Sequence, residues 1–183
     1  MVLLARVAPS PPAFAACLTI ALLSDVFDGI AARRLGVATT GLRRLDSAAD
    51  TVFYVAAAYV AWELYPEAVS RHAVPLVILV VLEAARYAID LAKFRREASY
   101  HMWSAKAFGI ALFVGFLGVL SFGHTGWPVS LAIAVGIVSD LEGIAISLVL
   151  PTWHHDVPSI VHALRLGRSA PYTVSNIPPG GPP

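Results

Sequence analysis

Five apolar segments, each long enough to cross a bilayer, constrain the fold of this sequence most strongly. A helix needs about 20 apolar residues to cross a hydrocarbon core about 30 Å thick. Lipid offers no hydrogen-bond partners, so a spanning segment is either a helix or a strand of a closed barrel, and these runs are too long for barrel strands. The sequence predicts an all-α integral membrane protein, a polytopic helical bundle with about five spans: Pro12–Ala32, Leu45–Tyr65, Ala73–Lys93, Trp103–Phe122 and Pro128–Leu150.

The composition agrees with a membrane protein. Hydrophobic residues make up 57% of the 183-residue chain and charged residues 14%, whereas a soluble domain carries about 25% charged residues. The net charge of +1 and the lack of a dense basic cluster give no indication of a nucleic-acid partner. The single cysteine, Cys17, cannot form an internal disulfide.

Basic residues are concentrated in alternate connections between the apolar segments. Lys and Arg side chains are enriched in cytoplasmic loops, so this alternation predicts that the first and third connections and the segment after the last span lie in the cytoplasm. We expect a membrane-embedded domain over residues 1–169 and a disordered, Pro- and Gly-rich tail over 170–183. The basic residues that set this topology are Arg33, Arg34, Arg43, Arg44, Lys93, Arg95, Arg96, Lys106, Arg165 and Arg168.

Four aspartates flank the first connection. Asp25 and Asp28 are spaced i, i+3 near the end of the first span, and Asp46 and Asp50 are spaced i, i+4 at the start of the second. Each pair shares a helix face, and each charge costs roughly 2.5–3.5 kcal/mol at the centre of a membrane helix. Converging carboxylates repel unless a hard cation binds them, so we expect Mg²⁺ or Mn²⁺ here. Two ions would stabilise both the attacking oxygen and the leaving oxygen of a phosphoryl displacement.

Residues between the two pairs suit a bound diphosphate. Gly29, Ala31 and Ala32 let a ligand approach the backbone closely, and Arg33 offers a planar fork of donors for a phosphate. The alternative interpretation is that each aspartate is a solvated cap at a helix end. The order of the four aspartates, with Gly29 and Arg33 between them, favours a site for a metal-bound pyrophosphate.

This segment resembles the signature of the CDP-alcohol phosphatidyltransferase family, D-x2-D-G-x2-A-R-x8-G-x3-D-x3-D. The sequence departs from the signature at Leu42, where the family has glycine, although Gly41 lies one residue earlier. It departs again upstream, because family members usually have six spans and little chain precedes Asp25. We therefore expect a family-like six-span bundle that lacks most of the first span, with Leu4–Val7 as a remnant. The matching residues are Asp25, Asp28, Gly29, Ala32, Arg33, Asp46 and Asp50.

The resemblance implies an activity and a role for each signature residue. A CDP-linked lipid such as CDP-diacylglycerol would donate a phosphatidyl group to an alcohol and release CMP, in phospholipid biosynthesis. Asp25, Asp28 and Asp46 would bind the metal ions, and Asp50 would be the general base and also lie near a metal. The CDP moiety would contact Gly29, Ala32 and Arg33. The resemblance further implies two metal ions, surrounding membrane lipids, a homodimer, and a place in a bacterial inner membrane with the site on the cytoplasmic side.

Three other functions fit parts of the sequence. An intramembrane prenyltransferase also binds a metal-diphosphate through aspartate-rich motifs, and a divalent-cation transporter or channel also uses intramembrane carboxylates. An inactive, family-like membrane protein is the third. The acceptor alcohol is left open between glycerol 3-phosphate, inositol phosphate, serine and another phospholipid.

Polar residues within the later spans form a second pattern. One face of the third span carries Glu83, Arg86, Tyr87 and Asp90. This spacing predicts either a paired structural network or a lining for the acceptor pocket. Asp140 and Glu142 lie within the last span, where we expect at least one of them to have a partner.

Overall fold

The predicted all-α bundle is confirmed. The computed structural model describes residues 1–35, 40–96, 100, 102–154 and 156–169, and this part of the chain contains helices and no strand. The predicted tail, 170–183, lies outside the described residues. In chain order the helices are α1 (Val2–Val7), α2 (Pro11–Arg34), α3 (Thr40–Leu64), α4 (Pro66–Arg71), α5 (Ala73–Phe94), α6 (Trp103–Phe122), α7 (Trp127–Val149) and α8 (Ile160–Ser169).

Five of these helices correspond to the five predicted spans, two of which end one residue beyond the helix, and each helix has between 20 and 25 residues. By length and composition, three segments of the described chain are long and apolar enough to cross a membrane: Pro11–Ala32 within α2, α6 and α7. Helices α3 and α5 are long enough but carry more charged side chains, since they contain the acidic and basic residues discussed above. Their placement as spans stays a prediction.

Helices α6 and α7 form the antiparallel centre of the bundle. Small residues bring them together: a Cβ added at Gly118 would lie 3.0 Å from Pro128 Cβ, and one at Gly115 would lie 3.1 Å from Ala132 Cβ. Close backbone approach through small residues is how membrane helices gain packing energy. Helices α2 and α3 pack on α6, and α5 packs on α7.

One apolar cluster fixes the relative heights of α2, α3 and α6. Phe14 of α2, Val60 of α3 and Leu120 of α6 are all buried in it. Asp25 follows Phe14 by eleven residues, and Asp50 precedes Val60 by ten. At 1.5 Å of rise per residue, both aspartates lie about 15 Å from this cluster, toward the same end of the bundle.

The short helix α1 contains Leu4–Val7, the predicted remnant of an earlier span. It packs against α3 at the end of the bundle away from the aspartates. The Arg6 guanidinium donates to the Tyr59 hydroxyl at 2.6 Å and to Glu63 Oε1 at 3.0 Å. These contacts hold α1 on the last turns of α3.

A buried chain of hydrogen bonds joins α5 to the end of α7. The Ser147 hydroxyl donates to Asp90 Oδ1 at 2.5 Å, and the Tyr100 hydroxyl lies 3.2 Å from Ser147 Oγ. Burial raises the pKa of the Tyr100 phenol. Since the Ser147 hydroxyl hydrogen is directed to Asp90, the Tyr100 hydroxyl is the donor of the bond to Ser147. Lys93 Nζ donates to the carbonyls of Ser147 and Leu148, at 2.8 and 2.9 Å. Carbonyls in the last turn of a helix have no intrahelical partner, so this lysine satisfies two of them.

A second polar group lies one to two turns deeper between α5 and α7. Arg86 donates to Glu83 Oε1 at 2.6 Å, and its Nε lies 3.8 Å from Asp140 Oδ1.

The other acidic residue of the last span, Glu142, accepts the N–H of Ile160 at its Oε1, at 3.1 Å. The expectation that Asp140 or Glu142 has a partner is confirmed for both. These contacts support the paired-network interpretation, and a role in an acceptor pocket stays a prediction.

Gly136 of α7 gives a test of this packing. A Cβ added there would lie 2.6 Å from Phe108 Cε2 and 2.7 Å from Leu79 Cδ1, so Gly136→Ala is expected to lower the free energy of unfolding by about 1–3 kcal/mol, the usual cost of overpacking. The matched control is Gly109→Ala on α6, where an added Cβ meets no atom within 4 Å. That change is expected to stabilise the helix by up to about 1 kcal/mol. Thermal unfolding in detergent measures both, and equal shifts for the two variants would contradict this packing.

Candidate metal centre

Helix α2 presents Asp25 on the face that packs into the bundle. Phe14 and Leu18 on this face are each 1% exposed. Asp25 follows Leu18 by seven residues, which is close to two helical turns, so it lies on the same stripe. The apolar stripe that buries α2 against its neighbours therefore continues into a carboxylate.

Helix α3 also has an inward apolar stripe that continues into carboxylates, here toward the start of the helix. Its inward face carries Ala57, fully buried, and Ala61, 7% exposed, while Val52 and Val55 face outward and are 70% and 63% exposed. Asp50 precedes Ala57 by seven residues, and Asp46 lies one turn earlier, so both carboxylates belong to the inward stripe.

The two stripes bring three of the four predicted aspartates together. One carboxylate oxygen from each of Asp25, Asp46 and Asp50 lies within 4.8 Å of the others. Mg²⁺ holds its oxygen ligands at about 2.0–2.1 Å, so oxygens on opposite sides of one ion are about 4.2 Å apart. Small side-chain rotations would bring these oxygens to that spacing. The donor set is entirely carboxylate oxygen, which suits Mg²⁺ or Mn²⁺.

Asp28 lies outside this group of three. It is exposed, and its Oδ2 accepts the Ser24 hydroxyl at 3.2 Å. Three residues along a helix turn the side chain about 60° away from Asp25, on the side that Ser24 occupies. The predicted role of Asp28 as a metal ligand stays a prediction.

The predicted nucleotide-contacting residues follow Asp25 along α2. Gly29 and Ala32 are partly buried and lie four and seven residues after Asp25, on the same stripe. Arg33 belongs to α2, but its side chain lies outside the described part of the structure, as do those of Leu42, Arg43 and Arg44. Gly41 is exposed on α3, and an added Cβ there would meet no atom within 4 Å. Open space therefore exists one residue before Leu42.

Two residues beside the carboxylates were not predicted from the sequence. Tyr54 lies one turn after Asp50, is partly buried, and stacks on Phe116 of α6 with ring centroids 5.8 Å apart. Ser24 holds the Asp28 carboxylate. The i, i+4 spacings Asp50–Tyr54 and Ser24–Asp28 were the available signals, since residues four apart are neighbours on a helix.

The family model of the CDP-alcohol phosphatidyltransferases matches residues 1–164. The chain therefore belongs to the CDP-alcohol phosphatidyltransferase family. No curated protein and no solved structure matches it. Membership supports a membrane-helical transferase of phospholipid biosynthesis that uses a CDP-linked donor and an alcohol acceptor. The family is generally dependent on divalent metal ions, which agrees with the acidic group.

Proposed function

We propose that this protein transfers a phosphatidyl group from CDP-diacylglycerol to an alcohol acceptor and releases CMP. The observation that supports this most strongly is the group formed by Asp25, Asp46 and Asp50, which lies inside the segment that matches the family. The diphosphate of the donor would bind at these carboxylates through metal ions. Its acyl chains would remain in the surrounding lipid.

The carboxylates Asp25, Asp28, Asp46 and Asp50 would hold two Mg²⁺ or Mn²⁺ ions. Bound there, the ions would supply neutralisation of the diphosphate charge and stabilisation of the attacking and leaving oxygens. The small residues Gly29 and Ala32 would give the CDP moiety access to the α2 backbone, and Arg33 would add a donor fork for phosphate.

Asp50 would act as the general base. It lies one turn further along α3 than Asp46, on the same inward stripe. There it would accept the proton of the alcohol hydroxyl, whose oxygen then bonds to the phosphorus of the phosphatidyl group. The bond from that phosphorus to the bridging oxygen of the diphosphate breaks, and CMP leaves with the bridging oxygen. A base in this role needs hydrogen-bond contact with the hydroxyl.

The proposal also includes the side of the membrane on which the site lies. The first and third connections carry most of the basic residues, and this supports a cytoplasmic position for the aspartates. A bacterial inner membrane and a homodimeric assembly complete the proposal, and both rest on the family resemblance.

Removal of divalent metal tests the proposed activity. Purified protein in lipid nanodiscs, given CDP-diacylglycerol, Mg²⁺ and glycerol 3-phosphate, inositol phosphate, serine or phosphatidylglycerol, is expected to release CMP with at least one acceptor. Chelation is expected to lower the rate by about 10³-fold, because bound metals contribute several kcal/mol of transition-state stabilisation. Added Mn²⁺ should restore it.

Two outcomes would contradict the proposal. Folded protein that releases no CMP with any of the four alcohols would favour the inactive or cation-transport alternatives, and uptake of Mn²⁺ into vesicles would separate these two. CMP release that persists in full after chelation would exclude the metal-dependent chemistry.

A further inference from the structure

Helix α7 extends well beyond the start of α6. Phe108 of α6 lies against Gly136 of α7, and the two helices are antiparallel, so Trp103 lies level with about Glu142. The last seven residues of α7 therefore project about 10 Å past the first residue of α6. This step at the end of the bundle is on the same side as the aspartates, since α7 ends where α2 ends and α3 begins.

Helix α8 is held in this step by polar and apolar contacts. The N–H of Ile160 donates to Glu142 Oε1 at 3.1 Å, and the N–H of Trp103 donates to the Pro158 carbonyl at 3.2 Å. Ala163 is fully buried, in a cluster with Met102, Ile146, Leu150 and Val157. Helix α8 is thus a docked element of the bundle.

The docked helix has one apolar flank that the described residues leave about half exposed. Ile160 and Ala163 face the bundle, and the next residues around the helix, Leu164 and Val161, are 43% and 53% exposed. His162 and Arg165 follow on the far side and are also exposed. Around α8, the bundle-facing side is therefore followed by an apolar, exposed flank and then by a polar, exposed flank. Leu166, 37% exposed, lies beyond His162, where the circle returns to the bundle-facing side.

Aromatic and basic residues beside α8 indicate what lies against this flank. Trp103 is 69% exposed, and Lys106 Nζ lies 4.5 Å from its ring centroid. The Arg96 guanidinium lies 5.6 Å from the centroid of the Trp153 ring. Tryptophan and long cationic side chains concentrate at the lipid headgroups, with their apolar parts in the acyl region and their charges at the phosphates. The start of α6 therefore marks the headgroup level, and α8 lies beside it.

We propose that α8 is an interfacial helix that binds the headgroup–acyl boundary of the adjacent leaflet. Val161 and Leu164 enter the acyl region, and the neighbouring cations contact anionic lipid phosphates. Amphipathic helices bind membranes in this way, through a buried apolar face together with electrostatic attraction to anionic lipids. The proposal is independent of the chemistry at the aspartates.

Site-directed spin labelling distinguishes the two sides of α8. Single cysteines replace Val161, Leu164 or His162 in a Cys17→Ala background, and each carries a nitroxide label in nanodiscs containing phosphatidylglycerol. Oxygen partitions into lipid, whereas a nickel chelate stays in water. Labels at positions 161 and 164 are expected to relax faster with oxygen than with nickel, and the label at 162 is expected to show the reverse.

The matched positions make each result decisive. Equal access of the nickel chelate to all three labels would place the apolar flank in water and overturn the proposal. Poor access of both reagents at 161 and 164 would show that protein, such as a second copy of the chain, covers the flank, and this would also overturn it. Unchanged thermal unfolding of each variant confirms that α8 stays docked.

Discussion

Asp50→Asn is expected to lower the rate of CMP release from CDP-diacylglycerol by about 10²–10⁴-fold, the usual contribution of a positioned general base. Asparagine keeps the shape of the side chain and one carbonyl oxygen but cannot accept the alcohol proton. Asp50 lies in the carboxylate group, so some metal affinity is also expected to be lost. Measuring kcat over a range of Mg²⁺ concentrations separates the two effects, since a missing base is not replaced by more metal.

Glu67→Gln is the matched control for Asp50→Asn. Glu67 is an exposed acid on α4, which follows the end of α3 away from the aspartates, and its replacement is expected to leave kcat unchanged. Recovery of the Asp50→Asn variant to the wild-type rate at high Mg²⁺ would show that Asp50 acts only as a ligand. A wild-type rate at all Mg²⁺ concentrations would remove Asp50 from the mechanism.

The helices were predictable because their apolar runs exceed the thickness of a bilayer. Three of the five predicted spans are apolar enough on their own, and their bounds agree with α2, α6 and α7 to within two residues. Helices α3 and α5 carry carboxylates and arginines for the site and for the polar network. A hydropathy criterion therefore describes these two helices less well than α6 and α7. Helix α2 meets the criterion although it carries Asp25, because all its charged residues follow an apolar run that ends at Ser24.

The convergence of Asp25, Asp46 and Asp50 was predictable because helical spacing alone sets the face of each residue. The separate position of Asp28 was not, since the i, i+3 spacing permits either a shared or a divided face, and the hydroxyl of Ser24 decides between them. Long-range contacts also could not be predicted from spacing. The bond from Glu142 to the N–H of Ile160 depends on the chain returning alongside α7 after Leu150.

The grouping of the carboxylates leads to a graded effect on metal binding. Asp25→Asn and Asp46→Asn each remove an oxygen from the three that already lie within 4.8 Å of one another. Both are expected to lower CMP release by about 10³-fold, because the bound metals stabilise the transition state by several kcal/mol. Higher Mn²⁺ is expected to restore little of this loss, since the remaining ligands no longer place the ion correctly.

Asp28→Asn is expected to have a smaller effect that excess metal corrects. Asp28 is exposed, points to the side of Ser24 and must rotate to reach an ion at the other three carboxylates. We therefore expect a loss of about 10–100-fold in Mn²⁺ affinity, similar to that for residues that support metal ligands, and near-complete recovery of kcat at saturating Mn²⁺. Ser24→Ala is the matched control. It removes the hydroxyl that holds Asp28 and is expected to leave kcat unchanged.

Electron paramagnetic resonance of bound Mn²⁺ measures the affinities independently of turnover. Weak binding in Asp25→Asn and Asp46→Asn with intermediate binding in Asp28→Asn would match the observed geometry. Equal losses of Mn²⁺ affinity in the three aspartate variants, with no recovery of kcat at saturating Mn²⁺, would mean that Asp28 leaves Ser24 and joins the other carboxylates when metal binds. Since the Ser24–Asp28 bond is at an exposed site and contributes only about 1 kcal/mol, a donor diphosphate that recruits a second ion would supply enough binding energy for that rotation. The difference between Asp28→Asn and Asp46→Asn therefore reports whether all four aspartates are already together before the substrate binds.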